Sequence, residues 1–235
     1  MAGLRILHLS DSHFKAFWSS DYDRIVRQIN DAEVDLICFT GDFVNKSDVR
    51  RNAPAAERFF TQLRSRLGIF ACLGNHDGDW LRTRAAQLNV TFLEHARLLL
   101  RSDAATIELI GLVGVSREDL DPAFVQSIPP KSPDAVRIVL CHYPDLLPVV
   151  KNSFDFDLYL TGHTHGGQIC LPGGVPVVKH AALPRRLCAG VHRINESWLV
   201  VNRGIGFTGI PLRLFCQAEM LEIVLRENQT SDGLR

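Results

Sequence analysis

Five short apolar runs constrain the fold most, because each leads directly into a cluster of glycine and polar residues. The runs span residues 4–9, 35–40, 69–73, 136–141 and 156–160. Short apolar runs bounded by turn-forming residues predict strands that are buried on both faces. Between them, apolar residues of segments 22–31 and 54–67 recur at helical spacing. This alternation predicts a layered α/β fold with a largely parallel sheet.

The middle and the end of the chain predict hairpins instead of crossovers. Segments 97–101 and 106–113 flank a polar turn, and segments 191–194 and 198–202 flank another. A last strand is predicted over 218–226. Two sheets packed face to face, with helices outside, would bury both sets of strands. We predict one domain over residues 1–226 and a frayed polar tail over 227–235.

Composition excludes several classes of protein. The 235 residues are 46% hydrophobic, which is enough for a sizeable core and too much for a disordered chain. Lysine plus arginine and aspartate plus glutamate each number 26, so no basic excess predicts nucleic-acid binding. No apolar run approaches the roughly 18 residues of a membrane span. The first residues lead straight into a strand pattern without a signal peptide, and we expect a cytoplasmic protein.

The six cysteines have no CxxC spacing and form no small-scaffold framework. Cys38, Cys72 and Cys141 lie inside apolar runs, where a free thiol behaves as a small hydrophobic side chain. Cys170 and Cys188 flank a loop-rich stretch, where the spacing allows a disulfide or a metal contact but demands neither. A reducing compartment is the simpler interpretation.

Metal-capable side chains follow all five apolar runs. In an open α/β sheet the carboxyl ends of parallel strands face one crevice, where ligands bind. Each motif alone is also typical of a turn or a cap. Five separate loops that place such groups at one edge by accident are implausible. The residues are Asp11, His13, Asp42, Asn75, His76, Asp77, His142, His163 and His165.

The types of these residues favour a particular metal chemistry. Imidazole, carboxylate and amide ligands without thiolates suit manganese, iron(II) or zinc. One ion could not accept seven protein ligands and keep a reactive position open, whereas two ions could share them. A carboxylate bridging two cations about 3.5–4 Å apart is typical of dinuclear phosphoester hydrolases. Water held between such ions ionises near neutral pH and attacks phosphorus in line.

Taken in order, these motifs resemble the motif set of the calcineurin-like metallophosphoesterases over about residues 4 to 168. The resemblance implies a four-layer α/β/β/α sandwich, in which two mixed β-sheets are flanked by helices, and two divalent ions. Manganese is expected, with iron, zinc or magnesium as alternatives. The implied roles are Asp11, His13 and His165 on one ion, Asn75, His142 and His163 on the other, Asp42 bridging, His76 beside the substrate, and Asp77 hydrogen-bonded to His76 to orient it.

Further segments resemble a bacterial branch of that family. They are 166–169, 203–206 and 211–213. Some relatives there are membrane-associated, and one kind cleaves the pyrophosphate of UDP-2,3-diacylglucosamine. We expect no N-terminal anchor of their kind, and Ser12 stands where an apolar residue is common. We predict hydrolysis of a phosphodiester or pyrophosphate with a lipid-linked or nucleotide-linked group. A phosphomonoesterase or protein phosphatase with the same centre, and a non-catalytic binding scaffold, are the alternatives.

The region 171–213 bears on the partner. From residue 179 onward it carries six basic residues and one acid, Glu196, beside apolar loop segments. Such loops are candidates for contact with a bilayer surface or an acylated anionic substrate. A solvated loop whose arginines pair elsewhere is the plainer interpretation. Arg203 and Arg213 are the candidate phosphate contacts, because guanidinium binds phosphate in a bidentate way. Expected partners are phosphorylated small molecules or lipid-linked substrates, without specific nucleic-acid binding.

Overall fold

Two stacked β-sheets organise the chain in a computed structural model that describes residues 3–46, 49–102, 105–114 and 116–226. The described residues form thirteen strands. In chain order, β1 to β13 are Leu4–Leu9, Leu36–Thr40, Ile69–Cys72, Thr91–Phe92, Ala96–Arg101, Thr106–Leu112, Ala135–Cys141, Leu158–Thr161, Cys170–Leu171, Val175–Pro176, Gly190–Ile194, Ser197–Val201 and Leu221–Leu225. The helices α1 to α5 are Ser20–Asp31, Val49–Gln62, Asp79–Leu88, Pro122–Ser127 and Leu147–Lys151.

Both large sheets are mixed. The first has the strand order β13-β1-β2-β3-β4, in which β13 is antiparallel to β1 and the other neighbours are parallel. The second has the order β11-β12-β8-β7-β6-β5, with parallel pairs in its centre and antiparallel pairs at both edges. The β5–β6 and β11–β12 pairs confirm the two predicted hairpins. Strands β9 and β10 form a separate small hairpin.

Alternating side chains of the central strands explain why the apolar runs lack a polar face. In β1, Leu4 and Ile6 contact the layer between the sheets, whereas Leu7 and Leu9 belong to the cluster under the helices. Strand β7 divides in the same way between the inner layer and a third cluster. Strands covered on both faces favour apolar residues at most positions. Buried polar side chains are therefore few within these strands, where His8, Glu108 and Arg137 are examples, and the candidate metal ligands follow the strand ends.

The helices cover the outer faces of the sheets. The cluster outside the first sheet includes residues of α1, α2 and α3, and the cluster outside the second includes residues of α5. Helix α1 begins after Ser19, whose hydroxyl accepts the backbone N–H of Asp21. The predicted four-layer α/β/β/α arrangement is thus confirmed.

The prediction for the second helix is wrong in its boundaries. The structure gives α2 as Val49–Gln62, so Pro54 lies inside it and Leu67 lies beyond its end. Proline in a helix interior removes one backbone hydrogen bond at a cost of about 3 kcal/mol. The buried residues Phe59 and Phe60 offset that cost by filling the core against the first sheet.

Several elements differ in extent from the sequence-based expectation. The last strand is shorter than the predicted 218–226, and α3, α4 and α5 were not predicted at all. The tail 227–235 and the turn positions 103 and 104 lie outside the described residues. No helix in the described ranges is long and apolar enough to span a membrane. The single-domain assignment stays a prediction.

Candidate metal centre

The seven predicted ligands come together where the two sheets meet. Those of the first sheet follow β1, β2 and β3, and those of the second follow β7 and β8. Except for Asn75 and His163, all of them are buried. Since the strands are parallel, their carboxyl ends bring these loops to one edge. The sequence spacing alone could not show that both sheets contribute to the same site.

Asp11, His13 and His165 form the first group. His13 Nε2 lies 3.1 Å from His165 Nε2 and 3.9 Å from Asp11 Oδ1. His165 Nε2 lies 3.3 Å from the same Asp11 oxygen. Ligand atoms each about 2.1 Å from one ion are separated by roughly 3.0–3.4 Å in octahedral or tetrahedral coordination. The three side chains therefore have nearly the spacing of ligands to a common ion.

Asn75, His142 and His163 form the second group. Asn75 Oδ1 lies 3.1 Å from both His142 Nε2 and His163 Nδ1. Asp42 stands between the groups, since its Oδ2 is 3.4 Å from His142 Nε2 and 3.5 Å from His13 Nε2. One carboxylate oxygen of Asp42 thus faces a nitrogen of each group.

The hydrogen bonds of this site leave donor atoms that a cation would satisfy. Asp11 Oδ1 is buried, faces two imidazoles and has no hydrogen-bond partner among the described residues. His142 Nδ1 lies 2.6 Å from the Thr40 carbonyl oxygen and donates a hydrogen bond to it. In the neutral imidazole, Nε2 therefore carries a lone pair and no proton. That lone pair faces the oxygens of Asn75 and Asp42. A proton or a metal ion at this point would remove the repulsion, and the nitrogen and oxygen donors suit a divalent ion.

Burial and the nearby carboxylates also shift the pKa values of the histidines at this site. Burial lowers the pKa of His13 and His163 to about 4 and that of His165 to about 3, so these imidazoles are neutral and can bind a metal. Burial is the largest single influence and acts to lower the pKa of His142, but the charge and hydrogen bond of Asp42, the charge of Asp11 and the hydrogen bond to Thr40 together raise that pKa to about 10. Positive charge is therefore favoured beside Asp42.

The backbone at the ligands is strained. Asp11, Asp42, His163 and His165 have φ values of 49°, 61°, 68° and 50°, in the left-handed region. Non-glycine residues adopt this region infrequently, and such strain is concentrated at functional sites. The loops are also crowded, because a Cβ on Gly162 would collide with Ser10 and Asp11. These backbone conformations place the side chains at a cost that packing alone does not explain.

Two residues that sequence reasoning missed support the ligands from beneath. Ser10 Oγ donates to Asp11 Oδ2 at 2.6 Å, and Thr40 Oγ1 donates to Ser10 Oγ at 2.8 Å. The Thr40 carbonyl oxygen also fixes His142, as described above. Partners of this kind hold a ligand in orientation and tune its basicity. The sequence indicates these residues only by their positions, because Ser10 directly precedes Asp11 and Thr40 directly precedes the Gly41-Asp42 motif.

His76 and Asp77 differ in how well the prediction describes them. The His76 ring meets the edge of the His13 ring, with centroids 4.9 Å apart, so it lies beside the first group. The predicted hydrogen bond from Asp77 to His76 is wrong. The Asp77 carboxylate instead accepts the backbone N–H groups of Asp42, Phe43 and Gly74 at 2.7–2.9 Å. Asp77 therefore joins the loops after β2 and β3, because its carboxylate accepts N–H groups from both.

Both candidate phosphate contacts have partners in the protein. The Arg203 guanidinium pairs with Glu219. Arg213 donates to the carbonyl oxygens of Arg203 and Gly206 and lies 3.3 Å from His165 Nδ1. Arg213 is thus positioned to hold the loop behind His165. Direct contact of either arginine with phosphate stays a prediction.

The cysteines agree with the burial prediction. Cys38, Cys72 and Cys141 are buried in the apolar layers, and all six thiols are free. Cys170 and Cys188 are therefore not joined by a disulfide, and neither belongs to a group of metal-capable side chains in the described ranges. Burial raises the pKa of Cys38 and Cys72, as expected of inert core thiols.

Comparison with known proteins identifies the family. The profile of the calcineurin-like phosphoesterase family matches residues 4–167. The chain belongs to this family. It is 33% identical to phosphodiesterase YaeI of Escherichia coli, over 95% of this chain and 83% of that protein. It is 27% identical to the uncharacterized metallophosphoesterase YkuE of Bacillus subtilis, over 95% of this chain and 79% of the relative.

Solved structures show the same fold at much lower identity. Sulfate thiohydrolase SoxB of Thermus thermophilus matches with a TM-score of 0.55 at 12% identity, over 96% of this chain and 57% of that one. Family membership makes this chain a metal-dependent hydrolase of phosphoric esters. In the part of the chain that the structure describes, two groups of side chains could hold a metal ion, Asp11 with His13 and His165, and Asp11 with Asp42 and His142.

Proposed function

We propose that this chain is a dinuclear phosphohydrolase that cleaves a phosphodiester or pyrophosphate bond. The observation that carries the proposal is the position of Asp42, whose Oδ2 lies 3.5 Å from His13 Nε2 and 3.4 Å from His142 Nε2. One carboxylate oxygen between two groups of donors is the arrangement that a bridging ligand requires. Asp11, His13 and His165 would hold one ion, and Asn75, His142 and His163 the other. Manganese is the metal we expect.

The protein's own groups would orient the reaction. Bound ions would supply a water that ionises near neutral pH and would neutralise charge on the phosphoryl group. Thr40 keeps the Nε2 lone pair of His142 directed into the site. His76 is half-buried beside His13, where its imidazole can donate a proton to the leaving oxygen or a hydrogen bond to the phosphoryl group.

Two grooves beside the ligands favour a phosphorus atom with two substituents. One groove of about 250 Å³ includes Asn75 and Tyr143 in its lining, and the Tyr143 ring packs 4.2 Å from that of His163. The other, of about 290 Å³, includes His13, Lys15 and Phe207. Each groove therefore borders a different ligand group. A monoester would use only one of them, so the diester or pyrophosphate is favoured over the monoesterase alternative.

The substituents are the finer part of the proposal. YaeI is named a phosphodiesterase, which supports a diester as substrate. In the second groove, the Lys15 ammonium lies 5.0 Å from the centre of the Phe207 ring, so charge and apolar surface occur together. A lipid-linked or nucleotide-linked group would use both. We propose such a group on one side of the reacting phosphorus.

Manganese titration and paired substrates test the proposal. Calorimetric titration of metal-free protein should show two ions per chain. The loaded protein should then hydrolyse bis(4-nitrophenyl) phosphate faster than 4-nitrophenyl phosphate. Faster turnover of the monoester would favour the phosphomonoesterase, and two bound ions without turnover of either would favour a binding scaffold. A panel of UDP-diacylglucosamine, cyclic nucleotides and glycerophosphodiesters would then identify the substituent.

A further inference from the structure

Eight large apolar side chains are exposed in two segments that follow the metal ligands, residues 171–178, which include strands β9 and β10 in part, and the loop 210–215. We call these side chains the apolar surface. They range from 44% to 63% exposed. They are Leu171, Val175, Val177, Val178, Ile210, Leu212, Leu214 and Phe215. Soluble proteins expose single apolar residues routinely, whereas a group of this size marks an interaction site.

Backbone hydrogen bonds join the two segments into one face. Leu214 donates its N–H to the Gln168 carbonyl oxygen at 3.0 Å, and Cys170 donates to Leu214 O at 2.9 Å. The Gln168 side chain donates to Ile210 O at 3.0 Å. Since Gln168 is three residues from His165, the apolar surface is attached directly to the loop of the first ligand group. Whatever binds this surface lies close to the metal centre.

Phe215 shows that exposure here is maintained against local preference. Its φ is 50° and its side chain is 58% exposed. A bulky residue with positive φ is a genuine outlier, and glycine or asparagine would fit this position with less strain. Neither backbone preference nor burial thus explains a phenylalanine here. An external apolar contact for the ring would explain it.

Basic side chains predominate among the exposed charges of the segment beside the apolar surface, where the partly buried Asp145 carboxylate accepts the backbone N–H groups of Ala182 and Leu183. Lys179, Arg185 and Arg186 are exposed beside it, and Arg185 reaches the Val177 carbonyl oxygen. The sequence has no aspartate or glutamate between residues 158 and 195. Cations around exposed apolar side chains are complementary to anionic headgroups above acyl chains. In a two-fold dimer through the same face, these like charges would be brought together.

We propose that the apolar surface docks onto an anionic lipid bilayer. The apolar side chains enter the headgroup region, while Lys179, Arg185 and Arg186 contact the anionic headgroups. Docking in this orientation brings the loop of His165 toward the bilayer. The consequence that the phosphoester is drawn from the bilayer rests on the proposed function, whereas docking itself does not.

Vesicle flotation tests the docking directly. Full-length protein is mixed with vesicles of phosphatidylcholine alone or of equimolar phosphatidylcholine and phosphatidylglycerol. We expect flotation with the anionic vesicles, little with phosphatidylcholine alone, and weaker binding as salt screens the headgroups. No flotation with anionic vesicles at low salt overturns the proposal.

Substitutions locate the contact. The triple variant Val178→Ser, Leu212→Ser, Phe215→Asn removes apolar area, and asparagine also suits the left-handed backbone at residue 215. We expect at least about tenfold weaker partitioning, the scale of losing the burial of several apolar side chains. Val224→Ser is the matched control, because Val224 is 42% exposed on strand β13, in the first sheet and outside the apolar surface. Equal partitioning of the triple variant and the wild type overturns the proposal.

Two further measurements separate the alternatives. By light scattering, the lipid-free protein should not self-associate through the apolar surface. Self-association that the triple substitution abolishes would assign the surface to a second copy and would overturn docking on lipid. Turnover of the soluble bis(4-nitrophenyl) phosphate should be unchanged in the triple variant. Loss of vesicle binding with turnover retained supports docking, and vesicle binding without turnover in any loaded protein contradicts only the proposed function.

Discussion

The metal centre and the apolar surface are neighbours with opposite properties. At the centre, most of the carboxylates and imidazoles are buried in strained loops, and hydrogen bonds from Ser10 and to Thr40 hold Asp11 and His142. In the apolar surface, which begins a few residues after the ligand His165, apolar side chains that include valines, leucines and a phenylalanine are exposed to solvent. Folding stability favours the reverse in both places. Buried charged groups and exposed apolar groups side by side indicate residues that serve binding instead of stability. Mutations at the metal centre should therefore affect metal binding and activity, and mutations in the apolar surface should affect only binding at that surface.

The largest expected effect comes from Asp42→Ala. Losing the oxygen between the two ligand groups should lower manganese content and reduce turnover to the background of metal-free protein. Elemental analysis and bis(4-nitrophenyl) phosphate turnover measure both, with Asp134→Ala, at an exposed position, as the control. Vesicle partitioning should not change. Two ions bound at wild-type affinity in Asp42→Ala would contradict the bridging assignment.

His76→Ala should separate catalysis from metal binding. We expect metal content to stay at the wild-type level and kcat to fall by about 10² to 10⁴, the usual effect of a positioned proton donor. Paired metal analysis and steady-state kinetics measure this. Unchanged turnover would remove His76 from the mechanism.

Ser10→Ala tests whether the hydrogen bonds beneath the ligands matter. Asp11 would lose its 2.6 Å hydrogen bond, and manganese affinity should fall by about 10- to 100-fold. Ser12→Ala is the matched control, because the Ser12 hydroxyl donates to the Phe43 carbonyl oxygen and not to a ligand. Calorimetric titration of both variants measures the difference. Equal affinities would show that the backbone alone positions Asp11.

The smallest effect concerns stability. Burial lowers the pKa of His8 to about 3, so the unfolded chain, with a pKa near 6.5, binds a proton first as the pH falls. The free energy of unfolding of metal-free protein should therefore decrease below about pH 6.5, with a contribution from His8 of up to about 1.4 kcal/mol per pH unit. Urea unfolding of wild type and His8→Gln between about pH 7 and pH 5 tests this. Identical slopes would contradict it.

The strands and the candidate ligands were predictable from sequence for one reason. A strand buried on both faces has a mostly apolar run, so its end, and the polar group that follows, are visible in the residue order. The sequence-based boundaries of β1 match the structure, and those of β7 differ by one residue. The meeting of the loops within each sheet follows from the parallel arrangement, whereas the joining of the two sheets at one site does not.

Other features could not be predicted because they depend on contacts between distant segments. The partners of Asp77 are N–H groups of two loops whose approach the residue order does not reveal. Helix α2 begins before Pro54 because aromatic packing in the core offsets the missing hydrogen bond. Exposure of the apolar surface was also hidden, since apolar loop residues look the same in sequence whether they are covered or not.

The shared position of the ligands between the two sheets has a consequence for assembly. Asp11, Asp42 and Asn75 follow strands of one sheet, whereas His142 and His163 follow strands of the other. Ions bound there would be held by ligands from both sheets, and the free energy of metal binding would add to the free energy that keeps the two sheets packed together. Removal of the metal by a chelator would then have two effects. It would abolish activity, and it would weaken the packing between the two sheets and make the chain more susceptible to proteolysis.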